Sequence, residues 1–165
     1  MKKKSLIFIL FVTALVACNK PSKVEQYLAD KHVRDSVGLC DQTRSLAYFQ
    51  SQLDSLMPVS DSLISLFKYE KNDKYQDNGN YVLTGSDGLR ILVHDDGKEI
   101  LLYRYGKRVQ PSDIKLTNKD QVSLERAQHL QIVIHDIREL EKRIAHTSLE
   151  VQKYQKRLEN EKTEK

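Results

Sequence analysis

The sequence predicts an α+β fold made of helical segments, a three-stranded antiparallel β-meander and a long C-terminal coiled-coil-like helix. Three observations predict it. Leu46, Phe49, Leu53 and Leu56 recur at spacings of three, four and three, a helical seam. Between Tyr81 and Tyr105 the apolar period falls to two, with turn residues at Ser86-Asp87-Gly88 and Asp96-Gly97. From Thr117 to Asn160 there is neither Pro nor Gly, and Leu130, Val133, Ile137, Leu140, Ile144, Thr147, Val151, Tyr154 and Leu158 keep an alternating three-four spacing.

The first element is an export signal. Lys2, Lys3 and Lys4 precede an apolar run from Leu6 to Val16. At 1.5 Å per residue that run reaches roughly 16 Å, about half a bilayer core, too short for a spanning helix. Leu15-Val16-Ala17-Cys18 follows and resembles the lipobox of bacterial lipoproteins. The resemblance covers residues 1–18 only. It implies export to the periplasm, diacylation (palmitate) of Cys18, cleavage before it and a permanent lipid anchor in the cell envelope. Asn19, where the sorting scheme places an Asp for inner-membrane retention, favours the outer membrane. The expected organisation is a lipoprotein signal peptide over 1–17, a lipidated tether over 18–23, and one α+β domain over 24–165.

Within that domain, residues 24–70 read as helical with breaks. Val24, Tyr27 and Leu28 open an apolar stripe, Gly38 interrupts it, and Asp41 sits where an N-cap would start the Leu46–Leu56 helix. Pro58 lacks an N–H and clashes with the preceding turn, which predicts a stop or kink near Met57. Ser60 is then placed to cap a short helix with Leu63, Leu66 and Phe67 on its face. Lys71 to Asn80 is a polar loop.

The meander occupies 81–105, with strands over Tyr81–Gly85, Leu89–Asp95 and Glu99–Tyr105. A two-residue Asp96-Gly97 turn of type I′ sets Val93 opposite Ile100 and Ile91 opposite Leu102. A three-residue Ser86-Asp87-Gly88 loop sets Leu83 opposite Ile91 and Tyr81 opposite Val93. Both registers put Tyr81, Leu83, Ile91, Val93, Ile100 and Leu102 on one face, with Val82, Leu92 and Leu101 among polar residues on the other.

The helix over 117–160 is widened by Leu124, Ala127 and Ile134 in its first half, which implies more than one neighbour there. Its second half narrows to the seam, with Glu139–Arg143 and Glu161–Lys165 spaced as supporting pairs. His129, Asp136, Arg143, Glu150 and Arg157 flank it every seven residues, where charge sets partner choice in coiled coils. The seam therefore needs a partner: the Leu46–Leu56 helix, the Val24–Val37 segment folded back, or another protein or second copy along Leu130–Leu158.

Composition narrows the function. The 165 residues carry 27 basic and 23 acidic side chains, but removal of Lys2, Lys3 and Lys4 with the signal leaves 24 against 23, a net charge of +1. That balance gives no basis for nucleic-acid binding. Two cysteines make neither a disulfide framework nor a four-thiolate zinc site, and Cys40 reads as a small buried hydrophobe, with an intermolecular bridge as the alternative. The sequence has no glycine-rich phosphate loop, nucleophile elbow, zinc-protease motif or calcium loop, so no catalytic residue, metal ligand or cofactor is assigned. His94 sits beside Asp95 and Asp96, but strand alternation would point His94 and Asp95 apart and leave Glu99 as its cross-strand neighbour. Arg90, Tyr103, Arg104, Tyr105 and Arg108, with Lys107, form a basic-aromatic sheet edge, the one candidate binding surface. These features imply a non-enzymatic envelope lipoprotein with a structural or protein-binding role. The alternative is a module binding an anionic glycan or lipid headgroup through that edge.

Overall fold

A computed structural model describes residues 22–71 and 79–163. The signal region, Cys18 and most of the polar 71–80 loop lie outside the described residues. Among the described residues the architecture is α+β: two long helices and a five-stranded antiparallel sheet in the order β1-β2-β3-β4-β5.

Helix α1 (Lys23–Ile64) starts on a reciprocal cap. The Glu25 N–H donates to Ser22 Oγ at 3.1 Å and the Ser22 N–H donates to Glu25 Oε2 at 2.6 Å. The helix then runs through Gly38, Asp41 and Pro58 without ending, which corrects the expected break at Gly38, the N-cap at Asp41 and a stop near Met57. Gly38 stays helical because a neighbour needs its missing side chain: a Cβ there would stand 2.7 Å from the Tyr154 ring. Asp41 is consequently an interior residue. Pro58 removes one ladder hydrogen bond from a long helix whose packing outweighs it, and Ser60, expected as a cap, is buried. Turn bonds from the Leu66 N–H to Leu63 O and the Phe67 N–H to Ile64 O close the end.

Strand β1 (Lys68–Lys71) then replaces the last turn of the expected 24–70 helical segment. Phe67 packs on the core and Tyr69 lies near Tyr81 with ring centroids 5.2 Å apart, while Lys68 and Glu70 pair with Val82 and Asn80 on the alternate positions. β2 (Gly79–Thr84), β3 (Leu89–His94) and β4 (Ile100–Arg104) follow as the meander. All four deduced pairings, Tyr81–Val93, Leu83–Ile91, Ile91–Leu102 and Val93–Ile100, are present. β5 (Lys107–Val109) adds a fifth strand, so the sheet has five strands rather than three.

The turns differ from expectation in one respect. Asp96-Gly97 is not type I′: only Gly97 has positive φ, and its N–H closes on His94 O. The two-residue turn with both φ values positive is Tyr105-Gly106, between Arg104 and Lys107. Gly97 is held by proximity to the second helix, because a Cβ on it would lie 2.6 Å from the His135 backbone nitrogen.

After a 3₁₀ turn at Pro111–Asp113, α2 (Asn118–Thr163) is the last element of the described residues. The described residues divide into two units. In residues 42–149, Leu89, Ile91, Val93 and Leu102 from the sheet bury against Ala127, Leu130 and Ile134 of α2, with Leu63, Ile64 and Phe67 packed alongside. This is the second neighbour that the widened stripe required. In residues 22–41 and 150–163, the two helical segments pack side by side.

Candidate interaction surfaces

The sheet separates the residues of the expected basic-aromatic edge. Arg90, Tyr103 and Arg108 are consecutive cross-strand partners on β3, β4 and β5, so they form one row on the face away from the core. Arg104 and Tyr105 are not part of it. Arg104 alternates to the core face, where its Nε is buried with no hydrogen-bond partner among the described residues. Tyr105 stands in the β4–β5 turn, 76% exposed at φ 50°. β4 is not an edge strand either; β5 covers it, because Tyr105-Gly106 returns the chain immediately.

Charge within the row is largely matched. Arg90 Nη2 meets Glu70 Oε2 at 2.5 Å, and Arg108 Nη2 lies 3.9 Å from Glu99 Oε2. Beside the row, Val82, Leu92 and Leu101 pair in sequence across the sheet, and Val82 is buried. The accessible part of this face is therefore Leu92 and Leu101, both partly exposed, with Arg-Tyr-Arg beside them and a carboxylate near each arginine.

His94 meets both adjacent carboxylates, contrary to the alternation argument. Its Nδ1 lies 2.7 Å from Asp96 Oδ1 and 3.5 Å from Asp95 Oδ1. Alternation holds only inside a strand; His94 ends β3, and the chain turns both acids back toward it. Each acid also has a structural task. Asp95 Oδ2 accepts from the Gly79 N–H at 2.6 Å and from the Tyr69 hydroxyl at 3.1 Å. Burial raises the Asp96 pKa, but hydrogen bonds from Lys98 and His94 outweigh it and hold the carboxyl at about 2. Among the described residues, no group of three or more His, Cys, Asp and Glu is placed to hold a metal ion.

The most buried acid is Asp120 at the start of α2. It accepts from the Ser86 N–H at 2.8 Å, the Ser86 hydroxyl, the Thr117 N–H at 3.2 Å and the Thr117 hydroxyl at 2.7 Å. Burial pushes its pKa up, but these donors prevail and hold it far below the usual carboxylate range. Thr117-x-x-Asp120 is a helix-start spacing, and the Asp120 N–H returns a bond to Thr117 Oγ1 at 3.2 Å. Its chemistry is tethering: Asp120 ties the β2–β3 loop to the helix.

Between residues 22–41 and 150–163 the contacts are polar and close. Glu161 pairs with Lys31 at 2.9 Å and with His32 at 3.0 Å, and the Lys31 hydrogen bond leads in lowering its pKa. The expected Glu161–Lys165 pair involves Lys165, which lies outside the described residues. Glu139 pairs with Lys142 rather than Arg143, whose guanidinium lies 5.9 Å from the Phe49 ring centroid. Arg157 stands 3.7 Å from buried Asp35. Cys40 is exposed, a correction to its expected burial. Gly38 faces Tyr154, and two residues on is about 200° round the helix, so Cys40 points the other way.

Comparison of the chain with protein-family models, with curated proteins and with solved structures finds no match. Among the described residues, no helix is long and apolar enough to cross a membrane.

Proposed function

We propose that the protein is a lipid-anchored, non-enzymatic lipoprotein of the cell envelope, held at the outer membrane through acylated Cys18 and acting through contacts with other macromolecules. The observation that carries this reading is the ordered series Lys2-Lys3-Lys4, Leu6–Val16 and Leu15-Val16-Ala17-Cys18. The capped start of α1 at Ser22, four positions after Cys18, supports it by leaving only a short link between lipid and body. Cys18→Ala, expressed with its signal sequence, tests it. The variant should lose palmitate labelling and appear as an uncleaved precursor or a released form. Membrane fractionation and mass identical to the native protein would refute the anchor.

A second reading draws on the Arg90-Tyr103-Arg108 row: recognition of an anionic glycan or lipid headgroup. Binding there should collapse as salt rises to about 0.5 M, because exposed charges are then screened within a few ångströms. An apolar protein contact should survive. Retention on lipopolysaccharide, compared between native protein and an Arg90→Gln/Arg108→Gln variant at two salt concentrations, separates the two.

A further inference from the structure

We infer that the first turns of α1 dock on a phospholipid surface, setting Val24, Tyr27 and Leu28 into the boundary between headgroups and acyl chains. The inference rests on the lipid-anchor reading and extends it from the cysteine to the folded chain.

Val24, Tyr27 and Leu28 are 66%, 61% and 47% exposed, and their spacing places them on one helical face. That face continues through Lys31, Asp35 and Gly38, whose partners are Glu161, Arg157 and Tyr154 of α2. The stripe is therefore covered by α2 from Lys31 onward and open before it. What stands near the open part follows from chain length. Four residues from Cys18 to Ser22 span at most about 14 Å when extended, so an acylated Cys18 holds α1's first turn within that distance of the lipid. At such confinement even weak apolar contacts are populated, because the second binding event is intramolecular.

The chemistry of the stripe suits that surface. Val and Leu supply apolar area, and Tyr27 has the amphipathic ring favoured at membrane interfaces. Lys20 and Lys23 flank it, and the nearest acid, Glu25, is engaged in the Ser22 cap. The opposite side of the helix provides an internal control. Val33 is 59% exposed but lies about 180° from Val24, away from the docked face.

The chain contains no tryptophan, so one introduced residue reports its own environment. Tyr27→Trp and Val33→Trp are made separately in the full chain, checked for acylation by mass, and reconstituted into phosphatidylethanolamine–phosphatidylglycerol vesicles with brominated acyl chains. Tryptophan from Tyr27→Trp should emit to the blue, resist iodide and lose roughly half its intensity to the brominated lipid, as expected at interfacial depth. The Val33→Trp signal should do none of these. An acylated Tyr27→Trp protein that emits like an exposed tryptophan and is quenched by iodide overturns the docking and leaves the anchor intact. A blue shift without bromine quenching means that another protein or a second copy covers the stripe, and also overturns it. A chain that carries no acyl group removes the lipid surface and sinks both.

Discussion

Asp120 shows how a single buried charge sets local structure. Its carboxylate collects donors from Ser86 and Thr117, so Asp120→Ala strands two backbone N–H groups and should cost roughly 2–4 kcal/mol by urea unfolding. Asp120→Asn keeps the shape but loses the charge, and should cost less. The native pKa is depressed, so this stabilisation is complete above the unfolded value near 4 and is lost as pH falls toward the native one. Urea stability should accordingly fall between about pH 4 and pH 2, a window Asp96 shares, with a shallower slope in Asp120→Asn. Equal slopes would place the acid-sensitive group elsewhere. A pair of glycines gives a second test at this scale. Gly97 and Gly106 both have positive φ, but a Cβ at Gly97 meets the backbone of His135 and Gln131, whereas at Gly106 it meets nothing within 4 Å. Gly106→Ala should cost about 1 kcal/mol, the left-handed penalty alone, and Gly97→Ala several times that.

At the scale of elements, α1 persists where local propensity would end it. Gly38 costs a helix interior about 1 kcal/mol relative to Ala, yet its lack of a side chain admits the Tyr154 ring. A double-mutant cycle reads this directly. Gly38→Ala should stabilise a Tyr154→Ala background by about 1 kcal/mol and lose that gain in the native background, where methyl and ring collide. Additive effects would show that the ring moves aside freely. The strands follow the same logic of context. β2, β3 and β4 were evident from alternation and turn chemistry, whereas β1 and β5 are four and three residues long, too short for a period to register. Two local signals nevertheless pointed to them: Phe67 and Tyr69 alternate with Lys68 and Glu70, and Tyr105-Gly106 precedes Lys107.

At the scale of the whole molecule, α2 meets its own chain beside the seam and at Tyr154 within it. Flanking Arg143 meets Phe49 in one unit; in the other, Tyr154 meets Gly38, and Arg157 and Glu161 beside the seam meet Asp35 and Lys31. A Cys18→Ala form lacking the signal sequence should therefore be monomeric in detergent-free buffer. Half-buried Leu158 changed to Asp should lower its urea stability by about 1–3 kcal/mol without changing its mass by light scattering. A dimeric native form that Leu158→Asp converts to monomers would show that the seam is shared between chains.

Sequence by itself determined the class of fold, the pairing of β2, β3 and β4, and the core-facing stripe of α2. Each rests on covalently local facts: side-chain period, turn residues and the absence of helix breakers. Tertiary structure alone decided the rest. Whether Gly38 breaks a helix depends on Tyr154, more than a hundred residues away. Whether Arg90, Tyr103 and Arg108 share a row depends on a fifth strand, and whether His94 meets its neighbouring acids depends on where β3 ends. Cys40 is exposed because Gly38, two residues earlier, is the one turned to a neighbour. In each case propensity contributes about 1 kcal/mol or less per residue, and a packed neighbour outweighs it.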